Sequence, residues 1–245
     1  MLKNYEREIR EVWVELTDID FFNDLDGVSE ITNFLFNFNF IKIKNGNYSK
    51  NKYVVIKKIP FICECMRFVD FDLKDLSELL DFRGFESLIQ EILSRYGYHT
   101  TKNFRFSDKS SLKTKRYEID IIAIKQRQVL VIDAKQWTKK DSYGAMNEAA
   151  NLQYKRAEAL KNNYVIFSDL LQDLTGYHPK IKNTSPYILI PLMVTLEENY
   201  IQLNEHKIPL VSIYRLNSFL EGLYLNLDYY KQVHINRISV QKRLF

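Results

Sequence analysis

The strongest constraint on this chain is a pair of apolar stretches that carry charges where a buried strand should carry none. Residues 116–125 read Arg-Tyr-Glu-Ile-Asp-Ile-Ile-Ala-Ile-Lys, and residues 128–135 read Gln-Val-Leu-Val-Ile-Asp-Ala-Lys. Each is rich in β-branched residues and of strand length. The connection from Lys125 to Gln128 is short, so an antiparallel hairpin is expected. Asp120 lies inside the first stretch, and Asp133 and Lys135 end the second. An unpartnered buried carboxylate is costly. Residues two apart on a strand share a face, so Asp133 and Lys135 project together and Ala134 points the other way. Pairing of the two strands brings Asp120 to the same place.

Two carboxylates held close repel each other, which raises one pKa unless a cation is present. A hard divalent ion such as Mg²⁺ takes oxygen ligands and is commonly held by one or two carboxylates plus a substrate phosphate. It polarises a phosphoryl oxygen and lowers the pKa of a bound water. Lys135 would then orient the nucleophile or stabilise developing charge. Glu86 is a candidate third carboxylate. It lies on an amphipathic helix over 84–96, beside the stripe Phe85, Leu88, Ile89, Ile92, Leu93 and Tyr96 but not within it. Gly97 is the expected left-handed cap of that helix.

The other elements fall around this core. An Ala-rich helix is expected over 145–161, and an almost wholly apolar strand, buried on both faces, over 187–195. Pro191 predicts a bulge or break in it. A short strand over 209–213 and a helix over 215–224 follow. Upstream, Tyr5, Ile9, Val12, Trp13 and Leu16 predict a helix over 4–16, and Val28, Ile31, Phe34, Leu35 and Phe38 a second helical stripe. Phe40, Ile41 and Ile43 lead to Asn45-Gly46, a hairpin signal, with Tyr53–Ile56 as the return strand. Lys42, Lys44, Lys50, Lys52, Lys57 and Lys58 cluster there. A helix followed by a basic hairpin resembles a winged-helix module. The alternative is an exposed hairpin with lysines guarding its edge.

The order Glu86, Asp120, Asp133-Ala134-Lys135 resembles the PD-(D/E)xK nuclease superfamily. Gly84-Phe85-Glu86, Leu88-Ile89, Ile92-Leu93 and Gly97-Tyr98 look like the opening helix of its Mrr-type restriction endonucleases and archaeal Holliday-junction resolvases. Glu118-Ile119-Asp120 and Val131–Lys135 look like its two central motifs. The resemblance covers residues 82–160 well and 187–220 loosely. The proline that names the motif is absent, and Ile119 stands before Asp120. What the resemblance implies is a restriction-endonuclease-like α/β fold, a mixed sheet flanked by helices, over 81–245. Residues 1–80 would form a small N-terminal α+β domain with a role in nucleic-acid binding. It also implies Mg²⁺-dependent phosphodiester hydrolysis in DNA, with Mn²⁺ as a substitute. Asp120 and Asp133 would ligate the ion with Glu86 assisting, the Ala134 carbonyl is a further candidate ligand, and Lys135 would be catalytic. Lys139, Lys140, Gln153, Tyr154, Lys155 and Arg156 are candidates for substrate contact, against the alternative of a solvated face. Trp137 is read as a wall of the site.

Other readings stand beside this one. Asp133 and Lys135 would be a purely structural ion pair with Asp120 capping a turn, or the fold would bind nucleic acid without chemistry, or the substrate would be RNA. A homodimer is one assembly that serves a double-strand cut. The net charge of +4 is too mild to prove nucleic-acid binding by itself. Cys63 and Cys65 are the chain's 2 cysteines; they are read as buried thiols on a strand, since a closed zinc site needs four ligands. The four histidines show no metal-ligand spacing. No apolar run reaches the roughly 20 residues of a membrane span, and the N-terminus has no apolar signal core, so a cytoplasmic location is expected.

Overall fold

The computed structural model describes residues 10–15, 41–45, 52–66, 73–108, 114–136, 143–176, 186–196 and 202–236. The chain divides into two compact units, Met1–Leu88 and Ile89–Phe245.

In the first unit, β1 (Glu11–Glu15), β2 (Ile41–Asn45) and β3 (Lys52–Lys57) form an antiparallel sheet in the order β1-β3-β2. The helix expected over 4–16 is therefore a strand over its described part. Glu11 and Trp13 are exposed while Val12 is buried, a period of two, and the backbone pairs Glu11↔Lys57 through Glu15↔Tyr53. Sheet partners absorb the β-branched and aromatic side chains that a helix holds less well. The β2–β3 hairpin is present, with Ile41↔Ile56 to Asn45↔Lys52 in register. The second helical stripe and Lys50 lie outside the described residues. Lys44 sets its Nζ 4.7 Å from the Trp13 ring centroid. Lys58 does not belong to the basic hairpin. It begins α1 (Lys58–Cys65) and is fully buried, and burial first, then Arg10, pushes its pKa down. Both cysteines sit on α1 rather than on a strand, Cys63 buried and Cys65 half-buried, and neither takes part in a disulfide.

After α2 (Leu73–Leu79), α3 (Phe82–Arg95) runs across the division between the units. Its start is set by Asp81, whose Oδ1 accepts the Gly84 N–H at 2.7 Å, an N-cap bond, and the Arg10 Nη2 at 2.7 Å. A Cβ at Gly84 would lie 2.8 Å from that oxygen, so the cap needs glycine there. Its end follows the expected pattern. Gly97 has φ +78°, and the Tyr98 N–H returns to the Leu93 carbonyl at 3.1 Å.

The second unit is built on one mixed sheet: β4 (His99–Asp108), β5 (Lys115–Lys125), β6 (Gln128–Lys135), β7 (Tyr187–Thr195) and β8 (Leu210–Ser212), in that spatial order. A short β9 (Val233–Ile235) also pairs with β7. β4–β5–β6 are antiparallel, and β6–β7–β8 are parallel. Gln126 and Arg127 make the β5–β6 turn, with Gln126 at φ +54°. The long α4 (Tyr143–Asn162) and α5 (Tyr164–Thr175) cover the sheet. Ala157 and Leu160 of α4 and Phe167, Leu170 and Leu171 of α5 pack on Ile122, Ile124, Val129, Val131 and Leu189. A short helix, α6 (Leu216–Gly222), follows β8, with one 3-10 turn before it (Ile213–Arg215) and one after it (Leu227–Tyr229). β4 and α5 are additions to the sequence reading. β4 shows few apolar residues because it pairs on one side only and is half-exposed.

Pro191 breaks nothing: β7 is continuous and pairs Val131↔Pro191. The Ile188 N–H donates toward β6 and the Met193 N–H toward the β8 side. By alternation, the amide position of residue 191 faces the side of β8 and β9. There β9 pairs only as far as Leu189 and β8 begins at Met193, so the missing N–H falls in the gap between two partner strands. No helix among the described residues is long and apolar enough to cross a membrane.

Candidate active site

The hairpin positions the carboxylates. The β5–β6 register runs from Lys125↔Gln128 to Ile121↔Ile132, and its continuation by one residue sets Asp120 opposite Asp133. Asp120 Oδ2 accepts the Ala134 N–H at 2.9 Å, which fixes its carboxylate against the peptide that follows Asp133. On the other side of β5 the ladder passes from Lys102↔Ile121 to Phe104↔Ile119, and the intervening Asn103 has φ +52°. The β4–β5 pairing thus opens beside Asp120.

Asp133 is almost fully enclosed, and cations meet both of its oxygens. Arg156 Nη1 reaches Oδ1 at 2.6 Å, and Lys135 Nζ stands 3.0 Å from Oδ2. The lysine contact lacks hydrogen-bond alignment, so Oδ2 is buried with an ion-pair neighbour but no hydrogen bond among the described residues. The expected shared face of Asp133 and Lys135 is present, and so is the ion pair of the structural alternative. Asp120 departs from that alternative: it binds the β6 backbone instead of capping a turn.

Arg156 and Gln153 come from α4. Met146, Ala150, Gln153, Ala157 and Leu160 are buried at helical spacing, which lays this face on the sheet. Gln153 is completely buried; its Oε1 accepts Arg156 Nη1 at 2.8 Å, and its Nε2 has no hydrogen-bond partner among the described residues. A solvated face is therefore wrong for this pair and right for Lys155, which is exposed. The Arg156–Asp133 bond was not foreseen. The one signal for it was a glutamine interrupting an otherwise apolar buried stripe.

Burial pushes the Asp120 carboxyl above its ordinary range, and repulsion from Asp133 adds to this. The Ala134 hydrogen bond, Lys135 and Arg156 oppose the shift and offset it in part. The chemistry of this donor set fits a divalent cation. Asp120 is disfavoured as an anion, and Asp133 carries a buried oxygen without a hydrogen bond; an ion between them would relieve both. No group of three or more His, Cys, Asp or Glu side chains suited to a metal occurs among the described residues. A set of two carboxylates completed by water and phosphate is the way Mg²⁺ is commonly bound.

Glu86 is buried on α3, in the first unit. It was expected beside the buried stripe. Gly84, Phe85 and Glu86 are consecutively buried, so the first turn of α3 is enclosed on more than its apolar face. Trp137, Lys139 and Lys140 lie outside the described residues.

Comparison with known proteins places this geometry. No curated protein matches the chain. A solved structure, protein VC1899 from Vibrio cholerae, aligns over 89% of this chain and 47% of that one at 12% identity with a TM-score of 0.31. This chain thus spans about half the length of that protein, and the likeness is too slight to bear on fold or function. Residues 83–184 match the family model of NERD, the nuclease-related domain. The match takes in α3, the Asp120–Asp133 hairpin, and α4 with Gln153 and Arg156. Residues 83–184 of this chain are accordingly similar to a nuclease-related domain.

Proposed function

We propose that the chain is a metal-dependent endonuclease that hydrolyses phosphodiester bonds in DNA, with Mg²⁺ as cofactor and Mn²⁺ as its substitute. The observation that carries this reading is the opposition of Asp120 and Asp133 across the β5–β6 register, with Lys135 on the Asp133 face. The bound ion would supply polarisation of a phosphoryl oxygen and a water of lowered pKa. Asp120 and Asp133 would hold it, and the superfamily resemblance adds Glu86 and the Ala134 carbonyl. The Ala134 N–H keeps the Asp120 carboxylate in one orientation, so little reorganisation is needed on binding. Lys135 is about a third exposed. Its ammonium can turn from Asp133 toward the attacking water or toward the charge that builds on phosphorus. Gln153, Arg156, Lys139 and Lys140 would position the nucleic-acid backbone, and such contacts orient without reading sequence. Two copies related by a two-fold axis would serve a double-strand cut.

A second reading, a nucleic-acid-binding module without chemistry, is favoured by one observation: Arg156 and Lys135 already engage both oxygens of Asp133. The test is a cleavage panel with Mg²⁺ or Mn²⁺ on linear duplex, single strand, flap, four-way junction and RNA. It should be run beside Mn²⁺ binding measurements on wild type and Asp133→Asn. Cleavage lost in Asp133→Asn supports the enzyme. Nucleic-acid binding with neither metal affinity nor cleavage supports the module, and cleavage of RNA alone moves the substrate.

A further inference from the structure

A metal-dependent site should offer its carboxylates to the ion, yet here the more deeply buried one already holds a cation of the chain. The 2.6 Å contact from Arg156 to Asp133 Oδ1 is shorter than the 3.0 Å approach of Lys135 to Oδ2. A dication arriving at Oδ1 would stand beside the guanidinium, a like-charge arrangement that the buried surroundings screen poorly. One of the two must leave. Arg156 has somewhere to go, since its side chain is 24% exposed while that of Asp133 is 2% exposed. Its fork of donors is also suited to a phosphate as well as a carboxylate.

We propose that Arg156 is an exchangeable substrate-binding residue: without metal its guanidinium occupies Asp133, and when a divalent cation takes that oxygen the released guanidinium binds a phosphate of the nucleic acid. This rests on the nuclease reading of Asp120 and Asp133. Gln153 is the anchor of the exchange, fully buried and holding the same Nη1 at 2.8 Å from one helical turn away. Two consequences follow from one pair of bonds. The Arg156–Asp133 contact weakens metal binding in the free protein, because the ion must displace it. Metal and nucleic acid also strengthen each other, since each stabilises the state in which the pair is parted, and that coupling is reciprocal.

The experiment is a Mn²⁺ titration of the full chain, followed by electron paramagnetic resonance, with and without a short phosphorothioate duplex that resists cleavage. Wild type, Arg156→Gln, Arg156→Lys and Asp133→Asn are compared, each with a melting curve. Without duplex, Arg156→Gln should bind Mn²⁺ roughly ten- to hundredfold tighter than wild type, the equilibrium worth of one charge-assisted hydrogen bond. Arg156→Lys, which cannot reach Asp133 and Gln153 with one fork, should fall between them. Duplex should tighten Mn²⁺ binding by about fivefold or more in wild type and by much less in Arg156→Gln. A purely structural arginine would leave metal affinity unchanged or weakened, and that result in a folded Arg156→Gln overturns the proposal, as does undiminished coupling. If Arg156→Gln does not fold, an Arg156→Lys affinity no tighter than wild type overturns it. Should wild type bind Mn²⁺ and Asp133→Asn not, the nuclease reading survives the loss of this proposal. Absence of Mn²⁺ binding in wild type and Arg156→Gln alike removes both.

Discussion

Asp120 and Asp133 face each other across one hairpin, but their removal should change stability in opposite directions. Consider Asp133→Asn in metal-free protein at pH 7. The side chain is 2% exposed, and it is the shared anion of Arg156 and Lys135. Removing one partner of a fully buried ion pair costs about 3–5 kcal/mol, because a charge is stranded. Here the stranded cations have side chains 24% and 30% exposed and can turn toward water, so roughly 1–3 kcal/mol remains. For a unit of this size that is a fall in Tm of about 3–10 °C. Asp120→Asn removes a charge that burial and Asp133 both disfavour, and it keeps an oxygen for the Ala134 N–H. Its folded pKa is raised, so in wild type the Asp120 contribution is favourable at acid pH and is lost as pH rises through the raised value. At pH 7 the Asn variant should therefore melt above wild type, and the difference should vanish as pH falls below the ordinary carboxylate range. Calorimetry in chelator on both variants and on wild type, from about pH 3 to 8, reads both signs. An Asp133→Asn Tm equal to or above wild type would refute the reasoning, since it would mean that neither cation depends on that carboxylate. A lowered Tm for Asp120→Asn would show that its hydrogen bond outweighs the repulsion.

Three further outcomes are expected. Lys135→Ala should cut the cleavage rate by about 10²–10³, the usual worth of one preorganised stabilising group, while Mn²⁺ affinity stays at or above the wild-type value; equal rates would remove the lysine from the mechanism. Asp81→Ala should cost about 1–2 kcal/mol through loss of the α3 cap. Although burial pushes the Asp81 pKa up, the hydrogen bonds from Arg10 and Gly84 prevail and hold it low, so its contribution is lost as pH falls through that lowered value; acid unfolding curves of wild type and variant should converge there. Gly97→Ala places a Cβ at φ +78° and should cost about 1 kcal/mol by chemical denaturation, whereas no cost would mean that the turn relaxes to another conformation.

The hairpin was legible in the sequence because two apolar runs of strand length joined by a two-residue connection leave few alternatives. β5 and β6 formed over the expected residues, so Asp120, Asp133 and Lys135 were identifiable from chain order alone. The cap at Gly97 was equally local, since it depends on one backbone conformation that glycine adopts freely. Where tertiary partners compete with local preference, the sequence was a poorer guide. The segment 11–15 alternates too briefly to separate strand from helix, and its pairing with β3 decides the matter. Pro191 reads as a break in isolation, yet its missing donor faces a stretch of β7 edge that neither β8 nor β9 occupies, a fact set by two strands distant in the chain. The Arg156–Asp133 bond spans 23 residues and exists because α4 lies on the face that carries the carboxylate. Periodicity can say which face of a helix is buried. What that face meets is decided by the packing of the whole sheet, and so the cation that Asp133 holds in the free protein could be learned only from the folded chain.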